Sequence, residues 1–181
     1  MPKKMRKLRI EELNRVSPEE YRKIEKNKIV LVLDNIRSMH NIGSAFRTSD
    51  AFLVEKIYLC GITATPPNRE IHKTALGATE SVEWEYIEDS LEAARKLKSD
   101  GYLILSVEQA EGSTQLGDFK YDPGMKTALV FGNEVKGVRQ EIIDISDVCL
   151  EIPQFGTKHS LNISVSIGIV LWEVLKGHSQ A

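Results

Sequence analysis

Six short runs of apolar, largely β-branched residues recur along the chain, and what separates them decides the fold. The runs are Ile29 to Leu33, Lys56 to Cys60, Val82 to Ile87, Tyr102 to Val107, Thr127 to Phe131 and Val148 to Ile152. Each is too short for a helix of ordinary length, and Gly, Asn, Asp or Pro interrupt the chain between them, so each reads as a buried strand. Helix-forming stretches lie between them, at about Ser44 to Leu53, Arg69 to Ala78, Ser90 to Leu97 and Arg139 to Ile145. Strands joined through helices run parallel and have both faces covered. The spacing predicts an α/β fold: a mostly parallel six-stranded sheet with helices on both faces. Glu108 to Gly124, with Gly112, Gly117 and Pro123, reads mainly as loop.

The end of the chain is more particular. Pro153 stops the sixth run because it has no N–H to give a ladder. A polar loop with Gly156 follows, and Ser160 stands where an N-cap would open the closing helix. That helix has two apolar stripes, Ile163, Ile167, Val170, Leu171 and Val174 on one side and Val165, Ile169 and Trp172 on another. Two apolar faces need two partners, one the parent sheet and the other a second subunit. The stretch is too short for a membrane span and contains Glu173.

With 181 residues, 41% of them apolar and 28% charged, the chain fits one soluble domain. Its net charge of −2 is unevenly spread: residues 1–28 hold ten basic and five acidic residues, and the remainder carries −7. A polyanion would therefore be met by the amino-terminal arm and by local patches. Residues 1–28 are expected to form a basic arm with one or two short helices, opened by Ser17-Pro18-Glu19-Glu20, and residues 29–181 the main domain. No apolar signal core follows the first residues, and Cys60 and Cys149 lack metal or redox spacing. Both read as reduced thiols of a cytoplasmic protein.

Three loops fall where such sheets place ligands, beyond the carboxyl ends of strands: 34–47, 132–137 and 152–162. Singly, each has a plain structural explanation. The stretch Asn41 to Arg47 suits a capped helix start, with Arg47 able to pair with Asp50. Gly132 to Gly137 lacks the GxGxxG order and suits a turn that needs positive φ. Ser160 and Asn162 suit helix capping. The chain has no zinc-ligand spacing, Walker loop or nucleophile elbow.

Together and in this order, the loops resemble the SpoU/TrmH family of SPOUT methyltransferases, which methylate RNA ribose 2′-hydroxyls using S-adenosylmethionine. One motif is similar to Asn41-Ile42-Gly43-Ser44-Ala45-Phe46-Arg47 and the next to Leu129-Val130-Phe131-Gly132-Asn133-Glu134-Val135-Lys136-Gly137. The third is similar to Ile152-Pro153 through Ser160-Leu161-Asn162-Ile163-Ser164, and the match spans about residues 29–176. The resemblance implies a carboxyl-terminal trefoil knot, with S-adenosyl-L-methionine in the knotted crevice against Gly132, Ile152 and Leu161. Ser106 and Val107 are expected to add a wall. It also implies a homodimer through the closing helix, each RNA site drawing on both chains.

For catalysis the resemblance points to Arg47. A guanidinium gives up its proton far less readily than any other side-chain base, so gripping a phosphate and stabilising the developing alkoxide suits it better than acting as base. Asn41 and Glu134 would fix Arg47 or the ribose, and Ser160 and Asn162 would complete the pocket. Lys3, Lys4, Arg6, Lys7 and Arg9 of the arm would join Arg47 in holding RNA phosphates. With about 28 residues before the first strand, tRNA is slightly favoured over rRNA. Gln154-Phe155 and Ser166 depart from the residues frequent in the family at those places. The competing readings are a SPOUT-fold base methyltransferase, a non-catalytic RNA-binding protein of the same fold, and an unrelated α/β enzyme with a nucleotide cofactor.

Overall fold

The computed structural model describes residues 5–13 and 15–176. A 3-10 turn at Ile10–Leu13 precedes α1 (Pro18–Lys23), where Ser17 and Glu20 close a reciprocal capping box. In chain order there follow β1 (Asn27–Asp34), α2 (Met39–Ala51), β2 (Val54–Cys60), α3 (Arg69–Ala75), α4 (Ala78–Ser81), β3 (Glu83–Ile87) and α5 (Ser90–Ser99). Then come β4 (Leu103–Val107), β5 (Thr114–Gln115), β6 (Thr127–Phe131), α6 (Gln140–Ile145), β7 (Val148–Glu151) and α7 (Ile163–Leu175). The strands form one sheet in the order β3-β2-β1-β6-β4-β7-β5, and every pairing is parallel.

Alternation along β1 shows how the sheet buries both faces. Ile29, Leu31 and Leu33 pack into a core with Phe46 of α2, Ile71 of α3 and Ile167 of α7. Val30 and Val32 face the other way, into a core with Leu97 of α5 and Ile142 of α6. The central strands are apolar on both sides because helices cover both. No helix among the described residues is long and apolar enough to cross a membrane.

Four expectations need correction. The sheet has seven strands: β5 is two polar residues long and pairs with β7 through Thr114 and Gln115, so no apolar run announced it. Helix α2 starts at Met39, because Ser38 caps it by accepting from Asn41 N, and the supposed loop up to Gly43 is its first turn. The single helix expected over Arg69 to Ala78 is two, separated where Leu76 and Gly77 both take positive φ. Asn162, not Ser160, caps α7: its side chain accepts from Ser164 N at 2.9 Å, and Ser160 lies in the exposed loop before it.

Candidate active site

Strands β1, β6, β4 and β7 are neighbours and parallel, so their carboxyl ends open side by side. The segments after them, 35–38, 132–139, 108–113 and 152–162, therefore converge on one end of the sheet. Between the last three lies a cavity of about 700 Å³, with Val107, Gly132, Glu134, Ile152, Ser160, Leu161 and Asn162 among its lining residues, while Asn41 and the rest of loop 34–47 stand outside that lining. The converging ends supply polar backbone, and Val107, Phe131, Ile152 and Leu161 supply apolar wall.

Glu134 binds the loops together. Its carboxylate accepts from the backbone N–H of Arg37 at 3.0 Å and Ser38 at 3.1 Å, and from Asn41 Nδ2 at 3.1 Å. Asn41 Oδ1 in turn accepts from Asn162 Nδ2 at 3.1 Å. A continuous chain thus runs from the second motif through the first to the third. Partial burial pushes the Glu134 carboxyl up, but the N–H groups and the Asn41 amide outweigh it and hold its pKa below the ordinary 4.5.

The turn that carries Glu134 folds back on itself. Asn133 N donates to Gly137 O at 3.1 Å and Gly137 N to Asn133 O at 2.8 Å. Asn133 Nδ2 anchors the turn to Asn35 O at 2.7 Å. A Cβ at Gly132 would lie 2.1 Å from Gly137 C, so this glycine is required by its own loop. Gly43 is required in a similar way. A Cβ there would meet Thr74 Oγ1 at 2.1 Å, so α2 and α3 pack closely only because it is glycine.

Other expected site residues divide. Val107 lines the cavity, but Ser106 does not: it is fully buried and its Oγ has no hydrogen-bond partner among the described residues. Arg47 is exposed on α2, outside the cavity lining, with no hydrogen bond or ion pair among the described residues; Asp50, its supposed mate, accepts from Ser81 Oγ at 2.7 Å. On the arm, Arg6 is already paired with Glu12 at 2.6 Å, while Lys7 and Arg9 are exposed. Lys3 and Lys4 lie outside the described residues. Sequence reasoning missed Glu108, which lines the cavity and accepts from Val138 N at 3.0 Å. A carboxylate just past a strand end was its available signal.

On α7, the first stripe is buried, whereas Val165, Ile169 and Trp172 are 49%, 37% and 65% exposed. Such a contiguous apolar row is unusual on a free helix face.

A model of the SpoU rRNA Methylase family matches residues 28–172. The chain is 32% identical over 152 residues to a 23S rRNA (guanosine-2'-O-)-methyltransferase of Nitrosomonas europaea, covering 84% of this chain and 57% of that protein. It is 34% identical over 149 residues to a tRNA (guanosine(18)-2'-O)-methyltransferase of Aquifex aeolicus, covering 80% and 67%. It thus spans little more than half the length of the rRNA relative. Among solved structures, an AdoMet-bound rRNA methyltransferase from Sinorhizobium meliloti superposes with a TM-score of 0.79 at 27% identity, over 92% of this chain and 62% of that one. The A. aeolicus TrmH/SpoU tRNA modifying enzyme gives 0.79 at 26% identity, over 90% and 83%.

Proposed function

This chain belongs to the SpoU rRNA Methylase family, and from that premise we propose that it transfers a methyl group from S-adenosylmethionine to an RNA ribose 2′-hydroxyl. The observation that carries the reading is the Glu134–Asn41–Asn162 chain, which joins all three loops at the mouth of a single crevice. A cavity of about 700 Å³ is of the size that takes a nucleoside cofactor. Val107, Ile152 and Leu161 offer surface to sandwich a purine, and the backbone around Gly132 offers donors and acceptors for its edge. The AdoMet-bound relative from S. meliloti supports the same cofactor.

When bound, the cofactor would supply an activated methyl with a neutral thioether as leaving group, and the 2′-hydroxyl proton would pass to solvent water. What the protein contributes is placement and polarisation. Glu134, saturated by donors, keeps Asn41 in one orientation, and Asn41 does the same for Asn162. Ser160 Oγ, without a partner among the described residues, is left to meet the ribose. Arg47 lies outside the lining of its own crevice, so we assign it to the crevice of a second copy, where it grips the adjacent phosphate and stabilises the developing alkoxide. The exposed stripe of Val165, Ile169 and Trp172 supports the two-fold dimer that this requires.

The trefoil knot belongs to the same proposal. In its support, β5 lies beyond β7 at the sheet edge and Leu116 packs in one core with α7, so segment 108–126 passes around β7 before returning to β6. In the same proposal Lys7 and Arg9 meet RNA phosphates from the start of the chain, while α1 is packed on the main domain, its Tyr21 buried in one core with Ile29 and Phe46. Of the two RNA classes, tRNA is proposed ahead of rRNA, on 34% identity to the Aquifex tRNA enzyme against 32% to the Nitrosomonas rRNA enzyme.

Methyl-labelled cofactor should mark tRNA, and the marked nucleotide should resist alkaline hydrolysis, since a 2′-O-methyl removes the attacking oxygen. Label in alkali-labile nucleotides would instead mean base methylation. Arg47→Lys should cut turnover by at least about tenfold at unchanged cofactor affinity, because an ammonium lacks the planar fork. Near-normal turnover removes Arg47 from the chemistry.

A further inference from the structure

The two loops that form the lips of the crevice are each attached to the same short piece of chain, the residues just past β4. Glu108 N donates to Leu150 O at 3.0 Å, which sets its backbone against β7. Its carboxylate then divides: Oε2 accepts from Val138 N at 3.0 Å and Oε1 from Gln109 N at 2.8 Å. Gly137, with φ of +69°, sits so close that a Cβ there would meet Glu108 Oε2 at 2.1 Å. The next residue reaches the opposite lip, where Gln109 Nε2 donates to His159 O at 2.6 Å.

That second bond matters because of what surrounds it. Every residue from Phe155 to Leu161 is exposed. Among the described residues, the Gln109–His159 bond is the one hydrogen bond that ties this stretch to another part of the chain. Without it the lip would be held only at Gln154 and Asn162, and a ligand would have to order it on arrival.

Resting on the methyltransferase reading, we propose that Glu108 and Gln109 are positioning residues of the cofactor crevice. Glu108 fixes one lip through an acceptor, and Gln109 fixes the other through a donor. Because they are consecutive on one strand end, they set both lips from a single rigid support. Neither reacts; both reduce the ordering cost of binding. The bonds are solvent-facing or half-buried, so each is worth the modest net free energy of an ordinary hydrogen bond, roughly three- to tenfold in affinity.

Each lip carries a lysine, Lys136 on one and Lys158 on the other, and both are exposed. Limited trypsin cleavage of the ligand-free native protein therefore reads the two lips separately. Gln109→Ala and Gln109→Glu, both lacking the donor, should speed cleavage after Lys158 about fivefold and leave Lys136 unchanged. Glu108→Ala should do the reverse, and Glu108→Gln, which keeps a carbonyl acceptor, should restore protection at Lys136. Calorimetry should show Gln109→Ala and Glu108→Ala weakening S-adenosylmethionine roughly three- to tenfold, with Tm within about 2 °C of the parent. Unchanged cleavage overturns the proposal. So does faster cleavage with unaltered cofactor affinity, or equal acceleration at both lysines with a falling Tm. A parent protein that binds no S-adenosylmethionine defeats the methyltransferase reading, while the cleavage pattern still decides whether these two residues hold the lips.

Discussion

At Gly132 the second motif turns back so sharply that a methyl group would press on Gly137 C at 2.1 Å and Val138 N at 2.1 Å. From the sequence, a turn needing positive φ is one reason for a glycine here, and the family resemblance implies another, a cofactor lying against it. The structure supplies a different one, contact with the turn's own backbone. Gly132→Ala should therefore destabilise the ligand-free protein, by about 2 kcal/mol on the scale of overpacked cores, lowering Tm by roughly 4–8 °C. Glu134 is the second residue whose environment makes a prediction. Its folded pKa lies below 4.5, so its contribution to stability is fully present above that value and is lost as pH falls through the folded pKa. Comparing thermal unfolding of the parent with Glu134→Gln across acid pH should show the parent's advantage greatest above pH 4.5 and shrinking below it. An advantage that grows in acid would mean that the carboxylate is strained rather than stabilised.

Among the elements, α7 separates what capping does from what packing does. Asn162 caps it and also holds Asn41, so Asn162→Ala should cost about 1 kcal/mol of stability, whereas Ser160→Ala should leave Tm unchanged because Ser160 caps nothing. Equal losses would place the helix start at Ser160 after all. The exposed row of Val165, Ile169 and Trp172 should be covered by its counterpart in a second copy. Trp172→Glu would put a carboxylate into that apolar seam, and sedimentation should then report a monomer where a dimer is expected of the parent. A parent that sediments as a monomer at micromolar concentration would leave the stripe without that partner.

For the molecule as a whole, the separation of Arg47 from the crevice of its own chain has a direct consequence. If each site takes Arg47 from one copy and Asn162 from the other, two inactive variants should rescue one another. Arg47→Ala mixed with Asn162→Ala after subunit exchange should recover about a quarter of parental activity, since half the dimers are mixed and each has one intact site. No recovery after verified exchange would show that both residues act in the same chain. This is the scale at which the arrangement of strand ends matters. The crevice exists because β1, β6, β4 and β7, distant in sequence, are adjacent in the sheet.

Read alone, the sequence determined what local chemistry can dictate. The apolar runs specified six strands, and the alternation specified a parallel sheet covered on both faces. The order of Asn41, Arg47, Glu134, Ser160 and Asn162 pointed to three loops of one family. Tertiary structure decided whatever depends on partners far along the chain. Thr114 and Gln115 are a strand only because β7 lies beside them. Met39 to Gly43 is helix because Ser38 caps it and Gly43 admits α3. Glu108 belongs to the crevice because the turn at Gly137 closes onto its carboxylate. Hydrophobic periodicity is written into neighbouring residues, whereas a hydrogen bond across about a hundred residues of chain exists only once the sheet has brought its two ends together.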